Sequence, residues 1–247
     1  ILARSRSVDT LIEDFRSRRS LRATSLIISV YGDAIAPRGG TVWLGSLIRL
    51  LAPLGLNERL VRTSVYRLSK EGWLSSEQIG RRSYYSLSEE GVHQFEQATS
   101  RIYGDPRQFW DGDWCLVLLA GLEAEQKDPV RKALSWLGFG AISSNVLAHP
   151  TPNIGELEST LKRIDGDRQL VVMRGATFGR HQDEAMRALV HRSWNLAELD
   201  QRYEGFIEQF RPVYNQAKKS RVIGAREAFQ VRLLLIQEYR RILLRDP

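Results

Sequence analysis

The chain has 247 residues, 43% of them hydrophobic and 26% charged, which is enough apolar content to bury a substantial core and excludes a disordered coil. No apolar run reaches membrane-spanning length and no signal peptide opens the chain, while a lone cysteine, Cys115, excludes an internal disulfide and suits a reducing cytoplasm. The net charge of +7 is uneven, with +5 over residues 1–103, −3 over 104–212 and +5 over 213–247, so a polyanion is expected to dock at the basic front.

The first residue is Ile1 rather than Met, so a native beginning is expected to precede the numbered chain. The polar opening to Ser25 carries Leu11, Ile12 and Phe15, which can pack one short helix. "SLIISVYGDAI" (25–35) reads as a second helix that stops at "APRGG". A short β-branched and aromatic run, "TVWL", precedes "GSLIRLLAPLG", a compact apolar helix ended by Pro53 and Gly55. Asn57 is suited to cap the next helix, which extends to Gly72.

At 100° per residue that helix puts Val61, Val65 and Leu68 on one stripe. Arg59, Arg62, Thr63, Tyr66, Arg67 and Lys70 fall on the other side. "WLSSEQI" and "RSYYSLS" then alternate around Gly80-Arg81-Arg82, as the strands of a β-hairpin do. Three helices followed by a two-stranded hairpin is the order of a winged helix-turn-helix. A helix fits the major groove of DNA, where arginine can fork onto guanine and Thr63 or Tyr66 can reach neighbouring edges. Arg81, Arg82 and Tyr84, at or beside the hairpin tip, can grip phosphates or enter the minor groove. Taken alone, either basic run would be a solvated surface; two of them at the two places that a winged helix presents point to DNA.

Further on, "WCLVLLAGL" (114–122) reads as a buried strand and "DPVRKALSWLGFG" as a helix with Pro129 in its first turn. "AISSNVLAHP" supplies one or two strands, "NIGELESTLKRI" a helix and "RQLVVMRG" a closing strand. This βαβ(β)αβ order suits a small ferredoxin-like sandwich. Three helical stretches follow, and Trp194, Leu196, Leu199, Tyr203 and Phe206 form an aromatic-rich stripe suited to a bundle core or a dimer interface. His181 and Glu184 share a helix face but lack a Cys or His partner, so no metal site is expected. Cys115 reads as core packing, and no catalytic triad can be placed.

"SLIISVYGDAIAPRGGTVWLGSLIRLLAPLGLNERLVRTSVYRLSKEGWL" with "GRRSYYSLSEEG", "IYGDPRQFWDGDWCLVLL", "GFGAISSNVLAHP", "SWNLAELDQRYEGF" and "AREAFQVRLLLIQEYRRILLRDP" closely resembles the PaaX family of phenylacetate-degradation repressors. The resemblance covers nearly the whole chain. It implies an N-terminal winged helix, a middle domain like the ferredoxin-like Cas2 fold and a helical C-terminal domain. It also implies binding of palindromic double-stranded operators, release by phenylacetyl-coenzyme A or a related acyl-coenzyme A, and no catalysis. A palindrome calls for a two-fold homodimer. The expected fold is therefore α+β, with an arm over 1–24, a winged helix over 25–103, a ferredoxin-like domain over 104–180 and a helical domain over 181–247.

The Cas2 likeness opens an alternative, a metal-dependent nucleic-acid-processing enzyme, with Asp111 and Asp113 before the first middle strand and Glu123 and Glu125 after it. No second carboxylate cluster points to the same place, and surface carboxylates are the simpler reading. For an effector, an aryl pocket rimmed by arginines that bond a coenzyme A phosphate would draw on Trp136, Arg174, Arg180 and Trp194.

Overall fold

Helices of the front of the chain arise where apolar residues recur at three- and four-residue spacing and so share one face. The computed structural model describes residues 6–17, 23–92, 95, 102, 110–164, 169–177, 183–219, 224–243 and 246. Its contacts divide into two units, one of residues 1–100 with 205–240, the other of residues 101–204 with 241–247.

In the first unit, α1 (Arg6–Ser17) buries Val8, Leu11, Ile12 and Phe15. Helix α2 (Ala23–Val30) runs on through a π-helical turn, Tyr31–Ile35, and a 3₁₀ turn, Ala36–Arg38, and stops at Gly39, whose φ is 95°. The breaker expected at "APRGG" thus lies one tight turn beyond the regular helix. Strand β1 (Thr41–Trp43) leads into α3 (Leu44–Leu51), closed by a 3₁₀ turn over Ala52–Leu54 and by Gly55 at φ 88°. Helix α4 (Glu58–Lys70) and strands β2 (Leu74–Ile79) and β3 (Arg82–Leu87) follow. The sheet is antiparallel with order β1-β3-β2.

One core joins these elements: Ile27, Val30, Leu47, Leu51, Val61, Val65 and Leu68 are among its buried residues, and Tyr85 and Leu87 pack against it from β3. The chain returns to it at its far end. Helix α8 (Leu196–Lys219) contributes Phe210 and Val213, and α9 (Ala225–Leu243) contributes Leu233 and Leu234. Polar contacts fix α9 against α2. The Ser29 hydroxyl donates to Gln237 at 2.6 Å, Arg240 donates to the Ser25 hydroxyl at 2.8 Å, and Arg232 forks onto Asp33 at 2.7 and 2.8 Å.

The second unit is built on β4 (Asp113–Leu118), α5 (Ala124–Trp136), β5 (Gly140–Ser143), β6 (Val146–His149), α6 (Ile154–Arg163) and β7 (Val171–Ala176). All three pairings are antiparallel and the sheet order is β5-β6-β4-β7. Helix α5 starts one turn earlier than expected, so Pro129 lies inside it. The Gln126 side chain there accepts from the Glu123 backbone N–H at 3.0 Å and ties down the helix start. Val117, Leu119 and Leu147 of the sheet region meet Val130, Leu134, Leu157 and Leu161 of the two helices in a second core.

Helix α7 (Asp183–Trp194) belongs to this second unit, together with the first turns of α8. Residues 181–247 thus contribute helices to both units. The aromatic stripe divides as well. Asn195, at a positive φ of 48°, breaks the helix after Trp194. Tyr203 donates to Asp246 at 2.7 Å in the second unit, and Phe206 stacks near Phe210 and Tyr239 in the first. No helix among the described residues is long and apolar enough to cross a membrane.

Candidate nucleic-acid interface

Asn57 starts α4 by accepting the Leu60 backbone N–H at 2.8 Å. The helix closes in a Schellman arrangement, with Trp73 N–H donating to Leu68 O at 2.8 Å and Gly72 N–H to Ser69 O at 3.3 Å. Gly72 sits at φ 79°, a left-handed position that glycine adopts without steric cost. Between these caps Val61, Ser64, Val65 and Leu68 are buried. Arg59, Arg62, Thr63, Tyr66, Arg67 and Lys70 are all exposed, so all six stand on the solvent side as expected.

Local bonds hold these side chains along the helix. Arg62 pairs with Glu58 at 2.8 Å and Arg67 with Glu71 at 2.6 Å. The hydrogen bond from Arg67 and the charge of Glu71 raise the guanidinium pKa above its ordinary value. The Lys70 ammonium lies over the Tyr66 ring, 5.7 Å from its centroid, while Thr63 donates its hydroxyl to Arg59 O at 2.9 Å. This face therefore offers cations, an exposed phenol and a hydroxyl, with Glu58 and Glu71 as the anions that a polyphosphate would have to replace.

The hairpin turns at Gly80 and Arg81, since Ile79 pairs with Arg82. Gly80 takes φ 61° whereas Arg81 stays at negative φ, the sign pattern of a type II′ turn. Arg81 and Arg82 are exposed and Tyr84 is half-buried. Alternation sends Tyr85 and Leu87 to the core, leaving Arg82 and Tyr84 on the other face. There the register pairs Tyr84 with Trp43 of β1.

Trp43 is a residue that the sequence reasoning missed. The guanidiniums of Arg82 and Arg49 lie 4.8 and 5.3 Å from its ring centroid. Its indole covers Gly45, where a Cβ would come within 2.5 Å of the ring. The run "TVWL" was legible as β-branched and aromatic; its pairing to β3 was not, and that pairing brings Trp43 to Arg82.

The remaining candidates sit in the second unit. Arg174 on β7 donates to Asp113 at 2.5 Å and also bonds Asp111. The Asp113 hydrogen bond, then the charges of Asp111 and Asp113, raise its guanidinium pKa. Both carboxylates thus face a guanidinium, and no group of three or more potential metal ligands occurs among the described residues. Glu123 precedes α5 and Glu125 lies in its first turn. Trp136 is exposed at the end of α5. Trp194 stacks on Trp114 with centroids 5.8 Å apart. Strand alternation puts Arg174 on the sheet face opposite Gly175, which lines the same cavity as Trp194. Trp136, Arg174 and Trp194 are therefore not gathered into one pocket, while Arg180 and His181 lie outside the described residues. Cys115 pairs in register with His149 and Arg174, and burial raises its thiol pKa.

These features define a mixed helix and sheet chain with two antiparallel sheets and one basic helix-and-hairpin surface. Family models match it as PaaX-like protein over residues 22–91, PaaX protein central Cas2-like domain over 107–187 and PaaX-like protein C-terminal domain over 194–247. The protein named transcriptional repressor PaaX of Escherichia coli (strain K12) is 39% identical over 241 residues, 97% of this chain and 76% of that protein. The chain belongs to the PaaX family. A solved structure, the uncharacterized protein Rv0674 from Mycobacterium tuberculosis, is 22% identical, with a TM-score of 0.50 over 92% of this chain and 85% of that one; this likeness concerns the fold alone.

Proposed function

We propose that this chain is a cytoplasmic, non-enzymatic transcriptional repressor that binds a palindromic operator as a homodimer and is released by an aryl-coenzyme A thioester such as phenylacetyl-coenzyme A. The observation that carries the DNA half is the exposed face of α4, whose six polar and basic residues lie opposite a fully buried apolar stripe. In this reading α2, α3, α4 and the β2–β3 hairpin form a winged helix-turn-helix. Helix α4 enters the major groove and Arg81 and Arg82 hold the flanking phosphates. The β4-α5-β5-β6-α6-β7 unit, with its β5-β6-β4-β7 order, is read as a ferredoxin-like fold. Kinship with a protein named a transcriptional repressor supports the regulatory role. The thioester rests on the family resemblance and on the aromatic Trp114–Trp194 site.

The test is a mobility-shift titration on operator and scrambled duplexes at several salt concentrations. Affinity should fall steeply with salt, because neutralised phosphates release counterions. Arg81→Ala and Arg82→Ala should weaken binding to both duplexes. Arg62→Ala and Arg67→Ala should instead erode the preference for operator, by roughly tenfold where a forked guanine contact is lost. Unchanged binding in all four variants would remove α4 and the hairpin as the interface. Addition of phenylacetyl-coenzyme A should lower operator affinity, and a panel of thioesters without effect would remove the effector.

A further inference from the structure

Trp43 ends β1, and α3 begins at the next residue. Gly45 leaves the first turn of α3 without a side chain, and the Trp43 indole lies where a Cβ would meet it at 2.5 Å. Arg49 stands one turn further along the same helix face. It is exposed, with its guanidinium 5.3 Å from the ring centroid. Arg82 reaches the same ring from β3, at 4.8 Å. One aromatic side chain thus gathers a cation from α3 and a cation from the hairpin. Their charged carbons are at most about 10 Å apart, the sum of the two distances.

The group that holds these two arginines sets them apart from Arg62 and Arg67, which are paired with Glu58 and Glu71. Among the described residues neither Arg49 nor Arg82 has an ion pair with a carboxylate. Glu77 shares this sheet face, across Tyr84 from Trp43 in the register, but pairs with neither arginine. Arg49 also approaches the Ser46 hydroxyl, at 3.5 Å. A ring orients a guanidinium while leaving its charge uncancelled and its N–H donors unused, whereas a carboxylate takes both. Two like charges this close repel each other, and an anion between them relieves the repulsion. On one strand of DNA a phosphate recurs every ~3.4 Å of rise. The two guanidiniums therefore fit one phosphate, or neighbouring phosphates of one strand, through forked N–H contacts.

We propose that Arg49 and Arg82, positioned by Trp43, form one binding site for the phosphate backbone of duplex DNA. Resting on the DNA-binding reading above, this site adds Arg49 of α3 as a phosphate ligand and makes Trp43 a positioning residue. It reads no bases, so it contributes equally to every sequence and fixes how α3 and the hairpin sit on one strand.

Fluorescence anisotropy of the full chain on a labelled random-sequence duplex, between roughly 50 and 200 mM salt, tests this without knowledge of the operator. Arg49→Gln and Arg82→Gln should each weaken binding. Each should also flatten the plot of log affinity against log salt by about one unit, and the double variant by about two. Over that range each lost contact makes the fall in affinity about threefold smaller. Trp43→Leu changes no charge, yet it should flatten the plot by about one to two units, and Trp43→Phe should restore the slope. A merely structural role for Trp43 would lower the affinity and leave the slope alone. If circular dichroism shows that Trp43→Leu unfolds, the exposed substitution Arg49→Gln decides. A wild-type slope in Arg49→Gln overturns the site, and a slope flattened by Arg62→Ala at the same time leaves the α4 interface standing without it. No binding of the wild type to the duplex at any of these salt concentrations removes the DNA-binding reading, and the site with it. Tighter binding of a single-stranded probe than of the duplex, lost in Trp43→Leu, would assign the ring to base stacking and overturn the phosphate site.

Discussion

The Asp33–Arg232 pair makes an asymmetric prediction about what holds the C-terminal helix to the front of the chain. The Asp33 side chain is 3% exposed and that of Arg232 is 64% exposed. Arg232→Ala therefore takes two charge-assisted hydrogen bonds from a carboxylate that water barely reaches, whereas Asp33→Asn leaves an arginine already solvated. Breaking a buried pair by removing one partner costs about 3–5 kcal/mol. With the Arg232 side chain 64% exposed, about 2–3 kcal/mol is the expected cost of Arg232→Ala. Asp33→Asn keeps shape and one acceptor, and should cost about 1 kcal/mol. Urea unfolding of the whole chain measures both, with amide exchange in α2 and α9 assigning the transition to the first unit. A double-mutant cycle isolates the coupling. If Asp33→Asn costs as much as Arg232→Ala, the argument from unequal burial is wrong.

Burial, and then the neighbouring Tyr85, push the Tyr31 phenol pKa well above its ordinary value of 10.0. Its contribution to stability is therefore full below that unfolded value and is lost as pH rises through it toward the folded one. The melting temperature of wild type should fall more steeply than that of Tyr31→Phe between about pH 9 and 11. Cys115, its thiol pKa raised by burial, should react with iodoacetamide at pH 8 far more slowly than a free cysteine, and should recover normal reactivity in denaturant. Trp43→Ala removes the ring under Arg82 and Arg49 and should weaken binding to operator and scrambled DNA alike; Trp43→Phe should restore most of the loss in the same titration.

What the sequence revealed depends on how far apart in the chain the partners are. Asn57, the Val61-Val65-Leu68 stripe, Gly72 and the Gly80-Arg81 turn are each fixed by residues within a few positions of one another. The α4 face and the hairpin could therefore be placed, and the six exposed residues of α4 stand where the helical period put them. The βαββαβ order could be read for the same reason. Helix α9 could not be assigned to its partner, because the period says that Leu233 and Leu234 face something apolar without saying what. Its partners Ser25, Ser29 and Asp33 are about 200 residues earlier. Trp194 is set apart from the stripe for a local reason that the period does not encode, the left-handed turn at Asn195.

The cavity was illegible for a different cause. A buried stripe announces itself by large apolar side chains, but a cavity is made by small ones in register across strands that the sequence separates. Ala148 pairs with Leu116 and Gly175 with Trp114 on the neighbouring strands, on the face that α7 approaches. Each reads as an unremarkable strand residue in its own segment, and only the β6-β4-β7 pairing lines them up. Trp194, expected in an aryl pocket rimmed by arginines, lines this cavity without Trp136 or Arg174. Its stacking partner Trp114 lies inside what looked like an ordinary core strand. Pattern finds what a chain must bury; finding what it leaves open requires the register of the sheet.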